Sequence, residues 1–221
     1  MTKLIVVTGA RGALGSAVLA RLRADGHSTF GIDLAAAREG EADFVGGVDL
    51  SRRRAAIDAM HRIAATQPIG GLVNVAGGFV WEEVAGGADA TWERMYQRNV
   101  ATALNATYAA IDRLAPGAAI VNVGAAAAAK AAAGMGAYAA AKSAVARLTE
   151  ALADELKPRD IRVNAVLPSI IDTPDNRRAM GEEDAPNWVR PAELAAVIAF
   201  LLSDEARAIT GASIPVVGKM I

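Results

Sequence analysis

An unbroken apolar run, Leu4-Ile5-Val6-Val7, passes directly into Thr8-Gly9-Ala10-Arg11-Gly12-Ala13-Leu14-Gly15. Beyond it Leu14, Val18 and Leu22 recur every fourth residue. A strand that is apolar at every position is covered on both faces, as in parallel sheets. The recurrence predicts a helix that opens inside the glycine motif and stops near Asp25-Gly26. Gly9 permits a tight turn, and Gly12 lets backbone approach a phosphate. Gly15 lets the helix pack on the strand, with the helix N-terminus facing the anion. A glycine triplet alone is weak evidence; between a strand and a helix it gains the context it needs.

Further apolar runs continue the alternation of strand and helix. Thr29-Phe30-Gly31-Ile32-Asp33 reads as a second strand ending in a carboxylate, 18 residues past Gly15. An acid there accepts hydrogen bonds from the ribose hydroxyls of an adenosine and repels a 2′-phosphate. It is otherwise a cap or turn aspartate, and Arg11 and Arg38 are nearby cations that soften the preference. Phe44-Val45 begins a third strand leading to Val48-Asp49-Leu50, with Ser51 expected to cap a helix through about Ala65. Leu72-Val73-Asn74-Val75 is a fourth strand running into Ala76-Gly77-Gly78, whose small residues leave room for a ligand at the strand's end. Phe79 and Trp81 are either loop anchors or a flat wall for an aromatic substrate.

A long helix is expected over roughly 90–114, with Asn99 near its middle. Asparagine is a poor residue for a helix interior, so it either faces solvent or, on the inner side, holds a water or distorts the helix. Ala119 to Val123 and Ile161 to Leu167 read as the fifth and sixth strands, the latter closed by Pro168. The alanine-rich run 125–133 reads as a loop with room for a short helix. Residues 172–188 are polar, and Pro174, Gly181 and Pro186 suggest a segment without regular pattern, the length of a lid. Pro191 opens a last helix, and Ile214 to Val217 form a seventh strand. The expected architecture is a single Rossmann-type doubly wound α/β domain over 1–221, with six or seven parallel strands and helices on both faces.

Before the sixth strand stands Gly-Met-Gly-Ala-Tyr138-Ala-Ala-Ala-Lys142, followed by Val145, Leu148, Leu152 and Leu156 at helical spacing. Residues four apart share a helix face, so the phenol and the ammonium lie one above the other. An ammonium about 5 Å away, at an effective dielectric of roughly 20, favours the phenolate by about 3 kcal/mol, on the order of two pKa units. Taken alone, the spacing also fits a surface lysine and a half-buried tyrosine.

Other chemistries have little support. The chain has no cysteine, so it has neither disulfides nor thiolate chemistry, and its two histidines, His27 and His61, are too isolated for a metal site. A net charge of -1 with both signs scattered gives no footprint for nucleic acid. No uncharged apolar run approaches a membrane span, and the N-terminus enters a strand pattern without a cleavable signal, which points to a cytoplasmic protein.

Taken together, these motifs resemble the short-chain dehydrogenase/reductase family along essentially the whole chain. The matching residues are Thr8-Gly9 with Gly12 and Gly15, Asp33, Asp49, Asn74 through Gly77, Asn99, Tyr138 with Lys142, Asn164 through Pro168, Thr173, and Ile209-Thr210-Gly211. The resemblance implies NAD(P)-dependent hydride transfer, with NAD(H) preferred and NADP(H) possible. It makes Tyr138 the proton donor or acceptor. Lys142 holds the nicotinamide ribose and lowers the tyrosine pKa, and Asn99 supports a proton-relaying water. Cofactor contacts are expected from Gly9, Arg11, Gly12, Ala13, Leu14 and Gly15, then Asp33, Leu34, Asp49 and Leu50. Ala76, Gly77, Gly78, Pro168, Ile171 and Thr173 complete them beside Tyr138 and Lys142. Phe79, Trp81, Ala125 and Asn176 are expected toward the substrate. The resemblance also implies a dimer or tetramer built through the helices placed at 90–114 and 136–156.

Two departures stand out. The family's usual serine, thirteen residues before the tyrosine, is Ala125, and a usual glycine is Ala13. Both are similar to the dihydropteridine reductase branch, as are Gly78-Phe79 and Asp172-Thr173-Pro174-x-Asn176-Arg177. The leading expectation is therefore reduction of a conjugated ring, a quinonoid dihydropterin. A generic reductase of ketones or quinones, and a non-catalytic NAD(H)-binding scaffold or sensor, are the alternatives.

Overall fold

The computed structural model describes residues 3–65 and 67–220. Seven parallel strands form one sheet in the order β3-β2-β1-β4-β5-β6-β7. They are β1 (Leu4–Thr8), β2 (Ser28–Ile32), β3 (Phe44–Val45), β4 (Ile69–Asn74), β5 (Leu114–Val123), β6 (Arg162–Pro168) and β7 (Ser213–Val216). All five residues of β1 and all six of β4 are buried, as their apolar runs require. Winding runs outward in both directions from β1 and β4, so their C-terminal ends part and leave a crevice where ligands bind in such sheets.

Helices α1 (Ala13–Ala24) and α7 (Pro191–Leu202) cover one face, burying Leu14, Val18, Leu22, Leu194, Ile198 and Leu201 against Ile5, Val7 and Val121. The other face carries α2 (Arg53–Ile63), α4 (Thr102–Ala110) and α5 (Gly136–Glu155), packed over Val6, Leu72, Ile120 and Val163. This is the doubly wound architecture expected from the sequence.

Four local expectations are corrected. The region 90–114 is not one regular helix: α3 (Asp89–Met95) passes through a π-helical turn, Tyr96–Ala101, into α4. The strand expected to begin at Ala119 begins at Leu114, which pairs with Ile69. Its register shifts before Gly71 meets Ala119, and Gly117 (φ 75°) lies in the excursion. Pairing across the sheet outweighs the local breakers Pro116 and Gly117. Ser51 does not cap α2; its N–H and hydroxyl both donate to Asp49 Oδ1, at 3.0 and 2.6 Å. Within the 172–188 segment, α6 (Pro174–Met180) is regular because Pro174 sits in its first turn, where a missing N–H costs nothing. Thr173 Oγ1 caps it by accepting from the Asn176 N–H at 3.2 Å.

Candidate active site

The site is assembled where backbone segments come closer than side chains would allow. A Cβ on Gly15 would lie 2.1 Å from the Gly9 carbonyl oxygen, and one on Gly9 (φ 64°) would lie 2.8 Å from the Ala76 nitrogen. Thr8 Oγ1 accepts from the N–H groups of Val75 and Ala76, both at 3.1 Å, tying the end of β4 to the end of β1. Gly12 and Ala13 are exposed at the start of α1, and no side chain caps that helix. The N-terminal amides of α1 therefore face outward, the arrangement that receives a dinucleotide pyrophosphate.

At the adenosine end, Asp33 follows β2 and accepts the Arg11 N–H at 2.8 Å and the Ala35 N–H at 2.9 Å. The Arg11 guanidinium lies over the Phe44 ring, 4.1 Å from its centroid, and pairs with Glu41. Hydrogen bonding to Arg11, then to the Arg38 N–H, holds the Glu41 carboxyl below its usual range. Asp49 is likewise held low, chiefly by the Ser51 hydroxyl.

Tyr138 and Lys142 occupy consecutive turns of α5. Lys142 is buried, and its Nζ donates to the Val123 carbonyl at 2.8 Å while lying 5.9 Å from the Tyr138 ring centroid. Phe79 meets the tyrosine ring edge-on, with centroids 5.0 Å apart. The π-helical turn carries Asn99 into the interior. There its Nδ2 donates to the carbonyls of Gly78 (2.9 Å) and Met95 (3.0 Å), and its Oδ1 accepts the Gly78 N–H (3.2 Å). Gly77 makes this convergence possible, since a Cβ there would stand 2.8 Å from Asn99 Oδ1 and 3.4 Å from Lys142 Nζ. Cradle, acidic ribose site and phenol–ammonium pair fit a nicotinamide dinucleotide laid across the strand ends.

Residues 18–218 match the family model described as enoyl-(acyl carrier protein) reductase. An uncharacterized oxidoreductase of Methylorubrum extorquens is 30% identical over 95% of this chain and 94% of its own length. The chain belongs to the short-chain dehydrogenase/reductase family. Ligand-free aldohexose dehydrogenase of Thermoplasma acidophilum is a structural relative at TM-score 0.89 and 29% identity, covering 99% of this chain and 94% of that one. A blue fluorescent protein from a metagenomic library, solved in complex with NADPH, has a TM-score of 0.89 at 28% identity. That likeness covers 99% of this chain and 97% of its own.

Not every expected contact of this family member is placed as the sequence suggested. Leu14 and Leu50 turn their side chains into the core, and the Leu50 carbonyl accepts the Asn105 amide at 3.0 Å, which leaves their main-chain N–H groups as the means of contact with a cofactor. Asn176 does not face a substrate with its amide nitrogen, which donates to the Ile171 carbonyl at 2.8 Å and braces the start of α6. Ile171 bridges to Val189 at the base of the 172–188 segment, and Pro168 closes β6. Leu34 is exposed beside Asp33. Trp81 rests on Gly134, where a Cβ would lie 2.0 Å from its indole, so it is a loop anchor as well as an exposed apolar surface. Ala125, 5% exposed, has no hydroxyl to offer. The Thr8 hydroxyl, Glu41, Phe44 and the Val123 carbonyl were not singled out in the sequence. Only Thr8, beside the first glycine, carried a local signal.

The expected depression of the tyrosine pKa is also corrected. Burial pushes Tyr138 up to about 12, and burial pushes Lys142 down to about 8. Desolvation disfavours both charged forms and outweighs their attraction, while the ammonium's nearest fixed partner is a main-chain carbonyl.

That burial has a stability consequence. The fall from 10.5 to about 8 corresponds to about 3 kcal/mol of cost for keeping Lys142 charged at neutral pH. The unfolded chain holds the extra proton between those two values, so the cost is complete below pH 8 and fades as pH rises toward 10.5. Lys142→Met removes it but gives up the charged bond to Val123, worth about 2 kcal/mol. Urea unfolding at pH 7 is expected to show the variant about 1 kcal/mol more stable than wild type, with the gap closing as pH rises toward 10.5. A variant no more stable at pH 7 would contradict this account.

Proposed function

We propose that this chain is an NAD(H)-dependent reductase that receives a carbonyl substrate beside Phe79 and protonates its oxygen from Tyr138. The reading is carried by one observation: α5 holds Tyr138 and Lys142 on a single face, beside Gly77 and Asn99, at the strand ends where the glycine turn offers its cradle. A reduced nicotinamide dinucleotide, when bound, supplies the hydride. Gly9, Gly12 and the first amides of α1 would hold its pyrophosphate, Asp33 its adenosine ribose and Lys142 its nicotinamide ribose.

Tyr138 is a neutral phenol far above pH 7, the form required of a proton donor. As the proton leaves, the Lys142 ammonium steadies the developing phenolate from the next helical turn. Asn99 spends its amide on Gly78 and Met95, so its role is to set the loop that brings Phe79 against Tyr138. Asp33 favours NAD(H), and NADP(H) is the alternative because Arg11 and Arg38 stand nearby. Exposed Trp92, Tyr96, Leu104 and Tyr108 along α3 and α4 support self-association as a dimer or tetramer. No helix among the described residues is long and apolar enough to cross a membrane, and no cluster of metal-ligating side chains occurs among them.

A second reading, reduction of a quinonoid dihydropterin, is favoured by Ala125. A conjugated acceptor takes hydride readily and has less need of the hydrogen bond a serine would donate. The aldohexose dehydrogenase among the structural relatives favours the carbonyl reading.

Tyr138→Phe is expected to lower kcat about 10²–10⁴-fold, the range for losing a general acid, while NADH affinity by fluorescence titration stays within about threefold. In wild type, kcat for reduction is expected to fall as pH rises through about 8, where Lys142 loses its proton. A profile flat to pH 10 contradicts the role given to the ammonium. Ala125→Ser is expected to raise kcat/KM on a simple ketone at least about tenfold by restoring an oxyanion donor. No gain on ketones, with rapid wild-type turnover of quinonoid dihydropterin, selects the second reading.

A further inference from the structure

We infer that Glu41 closes this site to 2′-phosphorylated dinucleotides by occupying the guanidinium that would otherwise bind the phosphate. The inference rests on the dinucleotide reading above. Arg11 belongs to the glycine turn, and its N–H donates to Asp33 Oδ2 at 2.8 Å, so its side chain starts beside the carboxylate assigned to the adenosine ribose. From there the guanidinium lies over the Phe44 ring, its Cζ 4.1 Å from the centroid. Phe44 can occupy that place only because residue 31 is glycine, where a Cβ would lie 2.7 Å from the ring.

From this place over the ring, Arg11 Nη2 donates to Glu41 Oε2. The same oxygen accepts the Arg38 N–H at 2.8 Å, which fixes Glu41 at the turn joining β2 to β3. Both partners are about three-quarters covered, at 24% and 26% exposure of their side chains, so water screens this pair less than the rim pairs elsewhere on the chain. A phosphate on the 2′-oxygen would enter a place bordered by two carboxylates, Asp33 and Glu41, and would find Arg11 already neutralised. Without the Glu41 charge, the planar fork of Arg11 could grip that phosphate through two hydrogen bonds, with Arg38 adding a second cation. The excluded ligand class is thus set by a residue 30 positions from the arginine it restrains.

The test is titration of wild type, Glu41→Gln and Glu41→Gln/Arg11→Gln with NADH and with NADPH, following nicotinamide fluorescence at one fixed ionic strength. Glu41→Gln is expected to tighten NADPH about tenfold, the scale of one charge-assisted bidentate contact, with NADH changed less than about threefold. The double variant is expected to lose that gain. An unchanged NADPH-to-NADH ratio in Glu41→Gln, with normal NADH binding, overturns the Glu41 assignment alone. So does a gain that survives removal of Arg11, or a wild type that already binds NADPH more tightly. A wild type that binds neither dinucleotide overturns both this assignment and the cofactor reading beneath it.

Discussion

At Gly15 the first turn of α1 rests directly on the main chain of the turn that follows β1. The Gly9 carbonyl occupies the space where any side chain at residue 15 would begin, and Gly9 in turn touches the backbone of Ala76. This three-way backbone approach needs glycine at two points and a left-handed turn at one of them. It brings the free amides of α1, the end of β4 and the loop bearing Phe79 to one place. The Thr8 hydroxyl completes it by receiving two N–H groups that would otherwise lie unpaired at the end of β4.

The proposed function depends on a buried charge. Lys142 sits in an apolar setting that disfavours its ammonium, and only the Val123 carbonyl meets it directly. In the proposed reduction, a lysine cationic near neutral pH and a tyrosine protonated beside it would be the two forms that a proton donor and its stabiliser require. Burial of Tyr138 works in the same direction for reduction, because a phenol that resists ionisation remains available to give its proton late. It works against the reverse reaction, where the phenolate would have to exist beforehand.

Much of this was legible in the residues themselves. Parallel strands announce themselves as continuous apolar runs, and Tyr138 and Lys142 as neighbours one turn apart. What failed depended on which partners the folded backbone sets beside each residue. The π-helical turn leaves only Asn99 as its trace, since the amide that stabilises it reaches Gly78, 21 residues away. Pro174 breaks a helix interior but starts a helix when it stands in the first turn, and only the Thr173 cap decides which applies. The direction of the tyrosine shift was misjudged because a pairwise attraction can be drawn from spacing, whereas desolvation depends on how much chain closes over both groups. Asn176 looked free for substrate until the Ile171 carbonyl claimed its amide.

The central claim is that Tyr138 and Lys142 act together on a dinucleotide lying across the ends of β1 and β4. A crystal structure of the protein with NADH tests it most directly. The account predicts the pyrophosphate over the amides of Ala13 and Leu14, Lys142 Nζ about 3 Å from a ribose hydroxyl, and the Tyr138 hydroxyl facing the nicotinamide. A dinucleotide bound elsewhere, or one in this crevice that leaves Lys142 bonded to the Val123 carbonyl alone, would contradict it.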